Sequence, residues 1–599
     1  MNKVSQLGEY QGYTKEEYHG YKRVSQYIKV RDGTKLAADI FFPTKDKKQE
    51  TKPLPVIWSH IRYHRATIDE NNNITTRIDM PLLRKLLNHG YIIAAVDTRG
   101  AGASYGTRKG ELLSEEATDG YDVTEWLAEQ PWCNGKIGMY GLSYMGITQY
   151  MAAGTAPPHL KAIIPEMAMF DLYSFRNPGG VGKEGFYKEW GKHTLSLDKK
   201  TRPVPVDEDK DGTMLREAVK QHQNNLNILD YSSELKYRDS TLLDENQYHT
   251  RSPSSYIDGI NKSSAAVYHI AGWYDMYPRD QLLWFNNLKV PQRLLMTPWS
   301  HTTGWRYTPS WHEMITPLIG YEPDYNEILD FHWAEMIRWY DYWLKDIDNG
   351  IMNEPPINYY TIGAQKEEAW RTSNQWPIPS ASNIPYYLQV GPSGSIKSVN
   401  DGKLNKLEPR EESGYDEYIT DETTTSGRET RWTNGYGAPI KYPDMRKNDL
   451  KALTYTTEPL EQDIEITGHP IIHIWVTAPS KVDFYAYLEE VDESGYSHYL
   501  TEGVLRVSHR ALSEPPFENI SLPYHRSYKE DMLPTSKEPM ELVFDLLPIS
   551  NIFEKGHRLR VAVTCADRIN YESIDYNEKI RVHRNSTLTS YILLPIVQK

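Results

Sequence analysis

The chain has 599 residues, more than one hydrophobic core serves, so two or three domains are expected. A formal net charge of −14 offers no broad basic field for a phosphate backbone, which argues against nucleic acid as a partner, and no apolar run reaches the length of a membrane-spanning helix. Two cysteines, Cys133 and Cys565, form no CxxC pair and imply neither a disulfide framework nor a zinc site; with no apolar signal stretch in the opening "MNKVSQLGEYQGYTKEEYHG", the expected location is the cytoplasm.

From Val24 to Phe42 the residues alternate around a turn at Asp32-Gly33 and predict a β-hairpin. "LPVIWSH" and "YIIAAVD" then read as buried strands, with "MPLLRKLLNHG" between them at helical spacing and stopped by Gly90. "ATDGYDVTEWLAEQPWCNG" predicts a helix capped by Asp119 and running through Gln130. A strand over Lys136–Tyr140 follows, a turn punctuated by Gly141, a helix over Ile147–Ala153, and a further strand in "LKAIIPEMA". Strands alternating with helices predict an α/β fold with a parallel, doubly wound sheet.

Past residue 170 the alternation stops. Residues 171–263 are polar, with helical stretches such as "TMLREAVKQHQNNLNIL", and are expected to form a helical cap inserted between a first sheet segment, 1–170, and a second, 264–375. The second holds the strands "AAVYHIAGWYD" and "QRLLMTPWSH" and the long helix "ILDFHWAEMIRWYDYWLKDI". From Trp376 helical patterns give way to short alternating segments, among them "HPIIHIWVTAP", "VDFYAYLEEV" and "HRLRVAVTCA"; residues 376–599 predict a β-sandwich of jelly-roll type, with "ITDETTTSGRET" as an exposed loop.

The chemistry centres on "KIGMYGLSYMGITQY". Ser143 stands where a strand passes into a helix, the setting of a nucleophile elbow, but Met145 replaces the second glycine of G-x-S-x-G and Gly146 comes one residue later. On this stretch alone an elbow and an ordinary loop serine both remain open. A serine hydroxyl needs a histidine base oriented by a carboxylate, and in α/β-hydrolases both follow the serine in the order acid, then histidine. Asp275 ends the strand "VYHIAGWYD" and His301 follows "RLLMTPWSH", so order and position at strand ends are both met. Trp273, Tyr274 and Trp299 beside them either line an acyl pocket or pack the strand ends.

Other clusters have plainer readings. His60 and His64 have the i, i+4 spacing of a zinc helix but lack its glutamate and fall in a strand-to-loop pattern, so they read as pocket or loop residues. Asp207, Asp209, Asp211 and Gly212 resemble a calcium loop whose twelfth position is Ala218; a solvated acidic turn before a helix is the simpler reading. "DTRGAGASYG" lacks the lysine of a phosphate-binding loop, and its Asp97 and Arg99 are expected to pair with each other.

"MYGLSYMGITQ", "AGWYD", "PWSH", "DTRGAGASYG" and "EWLAEQPWCNGKIGMYG", with "LTYTTEPLEQDIEITGHP", "TEGVLRVSHR" and "GHRLRVAV" further on, resemble the cocaine esterase (CocE/NonD) family, related to X-Pro dipeptidyl peptidases, glutaryl acylases and α-amino acid ester hydrolases. The resemblance spans nearly the whole chain and implies an α/β-hydrolase fold with an inserted cap and a C-terminal jelly roll. The family's serine motif is G-x-S-Y-x-G, which Met145 fits. It implies Ser143 as nucleophile, His301 as general base and then acid, Asp275 as its orienting partner, and an oxyanion hole from the Tyr144 N–H and the Tyr63 hydroxyl. The expected reaction is cleavage of a small-molecule ester or amide, with no cofactor and no metal. Three alternatives stand beside it: an X-Pro exopeptidase, whose relatives are longer; an α-amino acid ester hydrolase, disfavoured because Met276, Tyr277 and Pro278 follow Asp275 where carboxylates are wanted; and a binding module with a silent hydrolase domain.

Overall fold

The computed structural model describes residues 3–301, 325–435, 440–478, 481–572 and 577–598. The hairpin expected near the N-terminus is β1 (Gly20–Lys29) and β2 (Lys35–Lys45), which forms one edge of a sheet of eleven strands among the described residues. The sheet continues with β3 (Leu54–Ile61), β4 (Ile92–Asp97), β5 (Cys133–Leu142), β6 (Leu160–Glu166), β7 (Ala266–Tyr274), β8 (Gln292–Ser300), β9 (Ile357–Tyr360) and β10 (Trp370–Ser373). In space these ten are ordered β10-β9-β8-β7-β6-β5-β3-β4-β2-β1, the eleventh strand, Lys48–Gln49, pairs with the end of β2, and from β9 to β4 all neighbours run parallel. The two edges are antiparallel, so the sheet is mixed at its rims and parallel only where helices cover both faces. This is why "IIAAVD" and "AVYHIAGWY" are apolar without alternation: every residue of β4 and β7 is buried.

The crossover helices are α1 (Pro81–Asn88), α2 (Ser114–Ala128), α3 (Tyr144–Gly154), α6 (Pro278–Asn287) and α7 (Tyr325–Lys345). Proline opens α1 where its missing N–H costs nothing, Leu82, Leu83, Leu86 and Leu87 face the sheet, and Gly90 ends the segment at φ 86°. Asp119 is not a cap: it lies inside α2, buried, and holds the Arg99 guanidinium with two bonds of 2.7 and 2.6 Å. Asp97 and Arg99 therefore do not form the expected pair. Asp97 instead accepts the Arg65 backbone N–H at 2.5 Å, the Ala103 N–H at 3.0 Å and the Arg65 guanidinium at 3.2 Å. Buried carboxylates need such donors, and the loop wraps this one closely because a Cβ on Gly102 would lie 2.1 Å from Asp97 Oδ2.

Between β6 and β7 the chain runs through short helices, the longest being α4 (Glu184–Lys199) and α5 (Thr213–His222). The acidic turn before α5 is a cap and a tether. Asp209 accepts the Met214 and Leu215 N–H groups at 3.1 and 2.8 Å, and Asp207 reaches back to the Ser25 N–H of β1 at 2.8 Å. Both aspartates thus commit oxygens to backbone donors.

The C-terminal part is a β structure, thirteen strands among the described residues, around its own apolar core of residues such as Leu388, Ile472, Phe484 and Leu594. The predicted apolar segments become strands Ile471–Ala478, Asp483–Val491 and Arg558–Thr564. The threonine-rich stretch is a loop but not an exposed one. Thr424, Ser426 and Thr430 are buried, and Thr425 and Ser426 donate to the buried Asp567 carboxylate at 2.8 and 2.6 Å. Hydroxyl density there satisfies a buried charge, a role that composition alone does not distinguish from solvation. Among the described residues no helix is long and apolar enough to cross a membrane.

Candidate active site

Ser143 sits between β5 and α3 at φ 62°, ψ −123°, a backbone region that non-glycine residues rarely occupy and that persists only when the surroundings enforce it. The enforcement is visible. The Ser143 N–H bonds to Glu166 O at the end of β6, and its carbonyl accepts from Gly146 and Ile147 in the first turn of α3. The two flanking glycines make room for this crossing. A Cβ on Gly141 would fall 2.5 Å from Met145 Cβ, and one on Gly146 would fall 2.8 Å from Glu166 O. Met145 is thus accommodated because position 141, not 145, gives up its side chain.

Asp275 and His301 meet at the carboxyl ends of the adjacent strands β7 and β8: His301 Nδ1 lies 2.5 Å from Asp275 Oδ1. The other carboxylate oxygen accepts the Tyr277 N–H at 2.7 Å, which fixes the rotation of the acid. Asp275 is fully buried, so the pair is shielded from water that would compete for its hydrogen bond. Ser143 and His301 both open onto one pocket of roughly 590 Å³, mouth included, which Tyr63 and Tyr144 also line. All five residues singled out from the sequence are therefore brought together.

The two tyrosines differ in kind. The Tyr144 N–H is at the first position of α3, where a helix leaves its amides unpaired and carries partial positive charge. Its side chain is engaged elsewhere: the phenol donates to Glu116 at 2.9 Å and accepts the Leu112 N–H at 3.0 Å, pinning the elbow to the loop before α2. Burial, then the neighbouring Glu111, push the Glu116 carboxyl up to about 7. Tyr63 offers its side chain, and its hydroxyl accepts the Trp190 indole N–H of α4 at 3.1 Å.

The pocket walls come mostly from elsewhere than the sequence suggested. Trp273, Tyr274 and Trp299 pack strand ends: the Trp273 indole donates to Tyr360 O at 2.6 Å, and Trp299 stacks on His332 with ring centroids 5.8 Å apart. The walls are instead Met169, Leu172 and Phe175 after β6, Phe186, Tyr187 and Trp190 on α4, Ile228 from the cap, and Met276 and Tyr277 after Asp275. The helical spacing of Phe186, Tyr187 and Trp190 was the available signal, masked by the polar composition around them. Among the described residues Glu111 is the one carboxylate of the wall, and it is paired with Arg62 at 3.2 Å. His60 is a strand residue buried against Trp58, and neither it nor His64 reaches the pocket.

Two further contacts arrive from the C-terminal part. Arg431, buried, donates to Trp273 O and Asp275 O at 3.1 and 3.2 Å, clamping the turn that carries the acid. Gly435 lies so close that a Cβ there would be 3.3 Å from His301 Cδ2. Nothing in the local sequence marks either residue, because their partners are more than a hundred residues away.

Residues 32–303 match the family model described as X-Pro dipeptidyl-peptidase (S15 family), and residues 349–594 match the one described as X-Pro dipeptidyl-peptidase C-terminal non-catalytic domain. A Mycobacterium tuberculosis protein bearing the name of a serine esterase is 32% identical, with 97% of this chain and 96% of that one covered. Cocaine esterase from a Rhodococcus species is 26% identical over 96% of this chain and 98% of its own. The solved structure of a CocE/NonD family hydrolase from Staphylococcus aureus superposes with a TM-score of 0.70 at 20% identity, covering 100% of this chain and 99% of that one, a likeness of fold. Fold, elbow and relatives define a serine hydrolase built on the α/β-hydrolase plan. Within that class the chain belongs to the cocaine esterase (CocE/NonD) family.

Proposed function

We propose that the protein cleaves small, uncharged acyl esters or amides through an acyl-enzyme on Ser143. The observation that carries this reading is the 2.5 Å Asp275–His301 contact, whose histidine lines the pocket that holds Ser143. His301 Nε2 takes the Ser143 proton as Oγ attacks the substrate carbonyl carbon, and the carbonyl electron pair moves onto oxygen. The Tyr144 N–H and the Tyr63 hydroxyl stabilise that oxyanion. The tetrahedral intermediate collapses by expelling the alcohol or amine, which leaves with the proton held by His301. Water, deprotonated by His301, then attacks the acyl carbon, and the second tetrahedral intermediate breaks its bond to Ser143 Oγ, which takes the proton back from His301 as the acid is released. Asp275 keeps its charge throughout and holds the imidazole in the tautomer whose Nε2 accepts.

The aromatic and aliphatic walls favour an apolar acyl group, and the charge of the one wall carboxylate among the described residues, Glu111, is balanced by Arg62 at 3.2 Å and Arg108 at 3.8 Å. A free α-ammonium would lose its hydration there without gaining a counter-charge. Neutral acyl esters should therefore be turned over with a higher kcat/KM than their aminoacyl counterparts. Because the matching family models are named for X-Pro dipeptidyl-peptidases, an X-Pro anilide belongs in the same comparison. A cytoplasmic setting accords with two buried cysteines that are both free thiols.

The deciding experiment is labelling with a fluorophosphonate. Wild-type protein should be labelled at Ser143 and inactivated, while Ser143→Ala should be folded, unlabelled and inactive. His301→Ala should lose nearly as much activity, since members of such a set act as a unit. Label on a different serine, or normal turnover by Ser143→Ala, would remove the mechanism and leave a binding module.

A further inference from the structure

From Trp190 we infer that the cap, not the sheet, sets the orientation of the second oxyanion donor: this indole is a positioning residue that aims the Tyr63 hydroxyl. The inference rests on the oxyanion role proposed above for Tyr63 and adds what makes that role possible. A phenol has one proton to give and two lone pairs, whereas an indole nitrogen only donates. The 3.1 Å contact between Trp190 Nε1 and the Tyr63 hydroxyl therefore has one sense: Tyr63 accepts, and its own proton is turned toward an acceptor on a different bearing. A substrate oxyanion at Ser143, in the pocket that both rings line, is such an acceptor. Accepting a hydrogen bond also polarises the O–H and strengthens its donation.

The grip extends beyond one bond. Tyr63 follows β3 in a loop, where a lone phenol would sample several rotamers, yet α4 holds this loop at three successive turns. Trp190 takes the hydroxyl; the His193 ring lies 5.9 Å from the Tyr63 ring; and Asp198 binds the guanidinium of the preceding residue, Arg62, at 3.0 and 3.2 Å. Positions 190 and 198 lie about two turns apart on one side of the helix, with 193 at its flank, so one side of α4 indexes the loop to the pocket.

The test is a kinetic cycle on Tyr63→Phe, Trp190→Phe and the double variant, with kcat, KM and the pre-steady-state burst measured for one activated ester. Trp190→Phe keeps an aromatic wall and deletes the donor, so kcat and burst rate should fall about ten- to hundredfold, as for a misaimed catalytic group, while KM moves far less. In the Tyr63→Phe background the same change should alter kcat less than about twofold, because no hydroxyl is left to aim. Replacing Trp190 with 3-benzothienylalanine, which exchanges the N–H for sulfur in a ring of the same shape, should reproduce the kcat loss with an unchanged Tm and covers the case in which phenylalanine disturbs the fold. A parental kcat for the benzothienyl protein, a loss confined to KM, or an equal loss in the Tyr63→Phe background would overturn the inference. A parental rate for Tyr63→Phe itself would instead overturn the oxyanion reading on which it stands.

Discussion

Tyr63 and Glu116 carry the sharpest expectations for single residues. Tyr63→Phe removes the hydroxyl proposed as an oxyanion donor, and with it the acceptor of the Trp190 indole N–H, so kcat should drop on the order of a hundredfold or more, about 3 kcal/mol, with a near-parental Tm. Glu116 tests the anchoring of the elbow. Its carboxyl is raised from an ordinary 4.5 to about 7 by burial, so the folded protein binds its proton more tightly than the unfolded chain does. The stability this contributes is complete below pH 4.5 and is lost as the pH climbs through 7. Glu116→Gln, which keeps an acceptor for the Tyr144 phenol, should remove that slope. Urea melts of both proteins between pH 4 and 8 should converge toward the acid end and separate toward the alkaline one, with the glutamine variant the more stable there; parallel curves would refute the assignment.

At the level of elements, the parts of the fold most legible in the sequence were those whose periodicity is set by two-sided burial. β4 and β7 are nearly continuous apolar runs because helices cover both faces, and α1 shows its stripe because only one face meets the sheet. The elbow was half legible: Gly141 and Gly146 were visible, whereas the reason Met145 fits depends on a 2.5 Å approach that only the folded crossing creates. Asp119 misled because an aspartate early in a helical pattern suits a cap as well as it suits a buried partner for Arg99. The pocket wall was illegible for a similar reason, since α4 presents its aromatics to the site and its lysines and glutamates to solvent. The crossing makes its own prediction. Gly141→Ala puts a Cβ into Met145 and a side chain at φ 146°, so the elbow should shift, kcat should collapse, and unfolding should cost about 1–3 kcal/mol less. An alanine variant with parental kcat and Tm would show that strand and helix can part at no cost to the site.

For the molecule as a whole, the turn that carries Asp275 is held by both halves of the chain. Arg431 bonds two carbonyls of the segment ending at Asp275, and Gly435 abuts the Cδ2 edge of His301. Arg431→Met should lower kcat and Tm together, by at least about 1.5 kcal/mol in stability for a lost charged hydrogen bond. Gly435→Val should spare the Tm and depress kcat, because a branched side chain presses on the Cδ2–Nε2 edge of the His301 ring; unchanged turnover would mean that the imidazole has more freedom than a 3.3 Å clearance suggests. The Arg431 latch also orders events during synthesis. A ribosome that has reached residue 375 has already delivered the serine, the acid and the histidine, yet the strap that secures the acid's turn is still uncoded in the emerging chain, and so is the Asp567 to which the preceding loop is tied. Full turnover should accordingly wait until Arg431 and the loop tied to Asp567 are in place, so that a half-made chain carries the proposed nucleophile in a weakened form.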